Sequence, residues 1–454
     1  MPDASRITYF ARTNARQPFR RFGIRAHDRL SHIAVIGKTG TGKSTLLETL
    51  ATQDIVMGNG MALLDPHGDL AERLADTAKA YRPEDMIYVD PSDLTSPFGY
   101  NPLRRVAYER VPLAASGLLE SMKKLWADAW GVRMEHVLRN ALLALIEYGD
   151  AKLPDILLLL SNQGFQRDVA RNLRNDQVRE FWQKEFPAYH PLYRQQSIAP
   201  IQNKIGALLS DPRLYRFFVT APEELRFRRF MDDGKILIVN LSKGRLGEDS
   251  SHLLGAILMT TISLAAFSRA ELSEHSRRPF YLFVDEFHSF TTLAVANMIS
   301  ELRKFGVGLT LAHQHLHQLE PEIRHTVLGN AGTIISFRLG SEDAAVFAKE
   351  FAPVFDAEDL LTLPNHSITL KLIKDSMPCG TLFATMGATP DGRYLMTAML
   401  PIPRRPHNFI DFRKRYGEEI RYQLAMLGKQ DHLAAFPIPQ RGLINPKFLC
   451  SNLA

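Results

Sequence analysis

Residues 32–50 read HIAVIGKTGTGKSTLLETL, and within them residues 37–44, GKTGTGKS, fit G-x-x-x-x-G-K-[ST]. The pattern decides the fold class because its chemistry demands a particular backbone. An apolar strand, Ile33-Ala34-Val35-Ile36, must deliver the chain into a turn whose N–H groups close around phosphates. Gly37, Gly40 and Gly42 permit that turn. A helix from about Lys43 then turns its positive dipole end toward the phosphates. The Lys43 ammonium reaches the β and γ oxygens, and the Ser44 hydroxyl is placed for Mg²⁺. The expected phosphate-binding set is Gly37, Lys38, Thr39, Gly40, Thr41, Gly42, Lys43, Ser44 and Thr45, with ATP and Mg²⁺ as cofactors.

Outward from that loop, strands alternate with helices. Gly60 to Asp65 reads as a second strand ending in Asp-Pro-His-Gly, and Met86 to Val89 as a third. Strands resume with Lys235 to Leu241, Phe280 to Val284, Gly308 to Ala312 and Thr333 to Arg338. Such alternation is the mark of an α/β fold with a mostly parallel sheet covered on both faces. Between about Leu103 and Arg228 the pattern is helical: EHVLRNALLALIEYG has apolar residues at helical spacing, and Pro154 and Pro222 mark helix starts. No strand is expected there. The expected organisation is a basic N-terminal segment, 1–29; an α/β nucleotide-binding domain, 30–102 and 229–400; an all-α insertion, 103–228; and a C-terminal extension, 401–454.

FYLFVDEF, residues 280–287, is a buried strand ending in two adjacent carboxylates. Behind a phosphate loop the pair divides two tasks: Asp285 holds Mg²⁺, and Glu286 orients and deprotonates the attacking water. In GLTLAHQHLHQL, residues 308–319, Gln314 follows an apolar strand and can touch the γ-phosphate or that water from its carboxamide. Arg303, one helix after the carboxylates and before the Gln314 segment, is a candidate finger supplied to a neighbouring subunit. His313, His315 and His317 alternate with other residues. They are not expected to form a metal site, because helix turns splay them apart and the next His or Cys is His325.

With 454 residues, 45% apolar and 23% charged, the chain can bury a large core. Two cysteines, Cys379 and Cys450, are too few and too far apart for a disulfide framework or a zinc site, which suits a reducing compartment. The longest uncharged apolar run, Leu253 to Phe267, is broken by Thr and Ser and reads as a buried helix rather than a membrane span. Net charge is +6, but the arginines are bunched: Arg6, Arg12, Arg16, Arg20, Arg21, Arg25 and Arg29 precede the first strand. Arg404, Arg405, Arg413, Lys414, Arg415 and Arg421 repeat the bias near the C-terminus. A polyanion is the partner such bunching suggests.

In order, GKTGTGKS, LLDPHGDL, GYNPL before a helical insertion, LFVDEF, ELRKFG, the Gln314 segment and GNAGTIISFRLGSEDA resemble the TraD/TraG type IV secretion coupling proteins. More distantly, they resemble the HerA/FtsK translocases. The resemblance covers about Arg20 to Leu400. It implies a RecA-like motor domain in a hexameric ATPase that pumps DNA through a central channel, and it carries Lys43, Ser44, Asp285, Glu286, Gln314 and Arg303 into the family's roles. It also implies a relaxase, secretion-channel or nuclease partner and a cytoplasmic location, with recruitment to the membrane by partners. Family members usually begin with transmembrane helices; none is expected in this chain, nor a HerA-type β-barrel before the motor. A HerA-like ATPase working with a nuclease, a secretion ATPase acting on proteins and a nucleotide-gated scaffold are the alternatives.

Overall fold

The computed structural model describes residues 6–13, 21–374, 377–388 and 394–399. Arg16, Arg20, Cys450 and the basic run Arg404 to Arg421 therefore lie outside the described residues. In chain order the first strands are β1 (Ile7–Thr13), β2 (Arg21–Arg25), β3 (Ile33–Ile36), β4 (Gly60–Asp65) and β5 (Met86–Val89). Two-residue strands β6 (Phe98–Gly99) and β7 (Glu223–Glu224) follow, then β8 (Ile236–Asn240), β9 (Phe280–Val284), β10 (Val307–His313) and β11 (Thr333–Ser336). The last are β12 (Ser367–Lys374), β13 (Met377–Ala388) and β14 (Tyr394–Met399).

Among the described residues, twelve strands form one sheet in the order β2-β1-β14-β13-β12-β11-β3-β10-β9-β4-β8-β5. The stretch from β11 to β5 is parallel throughout, and these are the strands that the apolar runs predict. Side chains along them alternate between two cores, as strand geometry requires. Ile33, Val35, Met61, Leu63, Ile236, Ile238, Tyr281 and Phe283 enter one, under the helices Lys43–Val56 and Asp69–Tyr81. Ala34, Ala62, Leu64, Leu237, Val239, Leu282 and Val284 enter the other, under the helices Glu248–Ser268 and Leu293–Leu302. Burial on both faces is why these runs are mostly apolar rather than alternating.

The helix Glu248–Ser268 is long and apolar enough to cross a membrane by length and composition, yet its Leu254, Leu258 and Ile262 sit in the core. The helix Val111–Leu125 crosses it so closely that a Cβ on Gly117 would lie 2.3 Å from Thr260 Cγ2. Between Val111 and Thr220 the chain is helical, and its Leu138, Leu142, Trp182 and Phe217 belong to the same continuous apolar cluster as the sheet's Leu282 and Val284. The expectation of no strand in this region needs correction at one point: Glu223–Glu224 pairs in parallel with Phe98–Gly99, closing the neck of the insertion.

A second correction concerns the N-terminus. Residues 1–29 are expected as a basic segment, but β1 and β2 add to the sheet, β1 pairing in parallel with β14 and antiparallel with β2. Phe10 and Ala11 are buried. Arg29 is not a surface cation at all: both guanidinium NH groups donate to the Asp54 carboxylate at 2.7 Å, and the group lies 3.7 Å over the Tyr281 ring. Asn59 also donates to Asp54, and Arg29 donates to Thr8, so further hydrogen bonds support the ion pair inside the protein.

Candidate nucleotide site

The parallel strands β3, β4, β9 and β10 end at one edge of the sheet, where open α/β folds place their ligands. The loop after β3 is shaped by its glycines. Gly42 has φ of 117° and caps the helix Lys43–Val56, and a Cβ on Gly37 would lie 2.4 Å from the Phe337 Cβ. Lys43 is buried and its ammonium donates to the carbonyls of Gly37 at 2.6 Å and Lys38 at 3.1 Å. Burial lowers its pKa, and the charges of Glu286 and Asp285 act in the opposite direction. Thr41 is tied to the loop through the Lys38 carbonyl, and the Lys38 N–H donates to the Arg338 carbonyl after β11.

From β9, Asp285 and Glu286 meet this loop. Ser44 Oγ lies 3.5 Å from Asp285 Oδ2. Burial first, then the neighbouring charges of Asp65 and Glu286, push Asp285 up to about 6. The Ser44 hydroxyl and the Asp285 carboxylate side by side offer oxygen donors of the kind a hard divalent cation such as Mg²⁺ takes.

Glu286 sits in the left-handed region at φ 48°, unusual for a side chain with a Cβ and of a kind that clusters at functional positions. Its carboxylate accepts Gln314 Nε2 at 2.6 Å, and His67 Nε2 stands 3.8 Å away. Burial alone would raise the Glu286 pKa; the hydrogen-bonding of His67 and Gln314 outweighs it and holds the group down at about 2. Gln314 faces two ways, since its Oε1 accepts Thr39 Oγ1 at 2.8 Å. Thr39, Gly40, Gly42, Lys43, Ser44 and Thr45 of the loop line a cleft of about 350 Å³ with His67, Asp285, Glu286, Gln314 and His366.

Tertiary structure adds residues that local pattern does not reveal. His67 is aimed by Asp65, whose carboxylate accepts the His67 and Ala71 N–H groups at 2.9 Å and so shapes the turn after β4. The only advance signal is the DPHG that ends this strand. Lys124, at the end of the insertion helix, donates to the carbonyls of His288 and Thr291 at 2.7 Å, joining the insertion to the loop after Glu286. His366 enters by its N–H to the Thr41 carbonyl.

Arg303 is not brought to this cleft. It lies before β10, whereas Gln314 lies after it, so roughly 20 Å of strand separates them. Its charge acts instead on His32 at the opening end of β3, whose pKa is taken to about 4 by burial and, secondarily, by Arg303.

The histidine reading also needs correction. His313 is buried at the end of β10, but His315 and His317 are not splayed: their rings stack at 24° with centroids 5.2 Å apart. The reason is local. His315 is extended, at φ −141° and ψ 133°, and only a short turn, Leu316–Gln318, follows it.

Residues 23–362 match the family described as type IV secretion-system coupling protein DNA-binding domain. Among solved structures, the plasmid coupling protein TrwB in complex with the non-hydrolysable GTP analogue GDPNP aligns at TM-score 0.56 and 16% identity over 84% of this chain and 88% of that one. TrwB in complex with ADP and Mg²⁺ aligns at 0.56 and 17% over 84% and 87%. VirB4 of Thermoanaerobacter pseudethanolicus aligns at 0.55 and 12% over 88% and 97%. No curated protein sequence gives a significant match.

Proposed function

Because the chain belongs to the type IV secretion-system coupling protein DNA-binding domain family, we propose that it is a Mg²⁺-dependent ATPase that moves DNA through a homo-hexameric ring. The observation that carries the reading is the meeting of Lys43, Ser44, Asp285, Glu286 and Gln314 in one cleft at the ends of parallel strands. Lys43 is placed to exchange the Gly37 and Lys38 carbonyls for phosphate oxygens. Mg²⁺, when bound, neutralises charge on the phosphates and on the acidic corner. Glu286 aligns the attacking water, a task suited to a carboxylate that is ionised at neutral pH. Gln314 holds Glu286 and the phosphate loop together, so contact of its carboxamide with a nucleotide changes what Glu286 can bind.

In this reading Arg303 acts across a subunit boundary, and the motor works in the cytoplasm beside a relaxase, secretion-channel or nuclease partner. The motor spans 30–102 and 229–400, with β1 and β2 added to its sheet, 103–228 as its insertion and 401–454 as an extension. DNA binding is sequence-independent, through phosphates, and therefore falls steeply with salt. The test is ATP hydrolysis by purified hexamer at low salt with single-stranded DNA, double-stranded DNA or neither. Stimulation of severalfold by DNA, lost in Lys43→Ala, is expected. Hydrolysis that responds to neither DNA, with no salt-sensitive binding, overturns the DNA reading; stimulation by a polypeptide instead favours a protein-handling ATPase.

A further inference from the structure

Beyond the nucleotide cleft, one donor cluster has no part in hydrolysis. His315, His317 and Asp343 each offer a ligand atom, and the three atoms lie within 4.8 Å of one another. Asp343 is buried and fixed: one oxygen accepts the Leu316 N–H at 3.0 Å, and the other lies 3.2 Å from His315 Nδ1. His317 Nδ1 lies 3.6 Å from a carboxylate oxygen of Glu342. Hydrogen bonding to Asp343 accounts for His315. It does not account for His317, an exposed imidazole stacked on His315 beside a second carboxylate.

We infer that His315, His317 and Asp343 bind a divalent transition-metal ion, with Glu342 as the fourth ligand. Two imidazoles and two carboxylates make a borderline donor set that favours Zn²⁺ over Mg²⁺, which prefers oxygen and water. Tetrahedral bonds of about 2.0–2.1 Å require ligand atoms about 3.4 Å apart, so the cluster must close by about 1 Å or more. The exposed side chains of His317 and Glu342, 58% and 81% accessible, supply that movement by rotation while Asp343 stays in place.

The ion clips two segments. One contains Gln314, which bonds to Thr39; the other begins the helix Ser341–Phe351, three residues after Arg338, whose carbonyl accepts the Lys38 N–H. Both segments hold the phosphate loop, so occupancy of the site stiffens it. That consequence rests on the proposed nucleotide chemistry, whereas metal binding itself does not.

The test uses the full chain, stripped with a chelator and titrated with Co²⁺ in excess Mg²⁺, then with Zn²⁺. One Co²⁺ per chain with the visible absorption of a tetrahedral nitrogen–oxygen site, displaced by Zn²⁺, is the expected result. His317→Ala, at an exposed position, and Asp343→Asn, which keeps an oxygen to accept the Leu316 N–H, should each weaken binding by at least about tenfold. Thermal unfolding confirms that both variants are folded. A wild-type chain without this absorption, or folded variants that bind Co²⁺ as tightly as wild type, overturns the site. Since the absorption is read without nucleotide, failure of DNA-stimulated hydrolysis leaves the result intact.

Discussion

Gln314 Nε2 donates to Glu286 Oε1 at 2.6 Å, and the other end of the same carboxamide receives Thr39, so a single side chain ties the carboxylate strand to the phosphate loop. Cutting that tie by Gln314→Ala should leave ATP binding nearly unchanged and slow hydrolysis by about 10–100-fold, as for a group that positions the water-orienting carboxylate. Glu286→Gln should slow it by at least about 100-fold. Nucleotide binding by calorimetry and steady-state turnover separate the two effects; wild-type turnover in Gln314→Ala contradicts the tie.

Asp285 carries the stability consequence of the acidic corner. Its pKa is about 6 when folded against an ordinary 3.8, so between about pH 4 and 6 the folded state binds the proton that the unfolded state has lost. Stability contributed by this group therefore falls as pH rises through that window, by up to about 3 kcal/mol at pH 7. Asp285→Asn should raise the unfolding midpoint above pH 6 and flatten its pH dependence between 4 and 6. Thermal melts across pH, without nucleotide, provide the measurement; an Asn variant less stable than wild type at pH 8 would refute the assignment.

Arg29 and Asp54 are 1% and 0% exposed. Removing one partner strands the other charge, and Asp54→Ala should cost about 3–5 kcal/mol in denaturant unfolding. Lys184→Ala, which breaks a pair with Glu180 whose side chains are 73% and 62% exposed, should leave the midpoint unmoved. Equal effects in the two variants would show that burial is not what gives the Arg29 pair its importance.

Arg303 offers a test of assembly, because it stands at the opposite end of β10 from Gln314. Arg303→Ala and Glu286→Gln should each bind ATP and fail to hydrolyse it. Mixed hexamers should recover part of the activity, since some boundaries then join an intact Arg303 to an intact Glu286. Confirmed mixed assembly with no recovery removes the finger role.

The central sheet is legible in the chain because its strands are buried on both faces and each therefore carries a mostly apolar run. The outer strands are not. β1 and β2 lie among arginines, and β12, SITLKLIK, mixes polar with apolar residues although Ser367, Ile368, Thr369 and Leu370 are buried, so its composition hides its burial. Their place depends on partners: β1 pairs with β14, with Ala11 opposite Met396, a relation that no local window contains.

The meeting of the glycine loop, the strand-end Asp285 and Glu286 and the following Gln314 in one cleft is readable from sequence because each position is set by neighbours along the chain: glycines for a turn, an apolar strand to aim a polar end. Tertiary structure alone decided that Arg29 is an internal partner of Asp54 rather than a polyanion contact, that His67 enters the cleft, and that Asp343 lies beside His315. In each case the deciding quantity is a distance between residues remote in sequence, set by how strands and helices pack, and charge or spacing along the chain carries no measure of it.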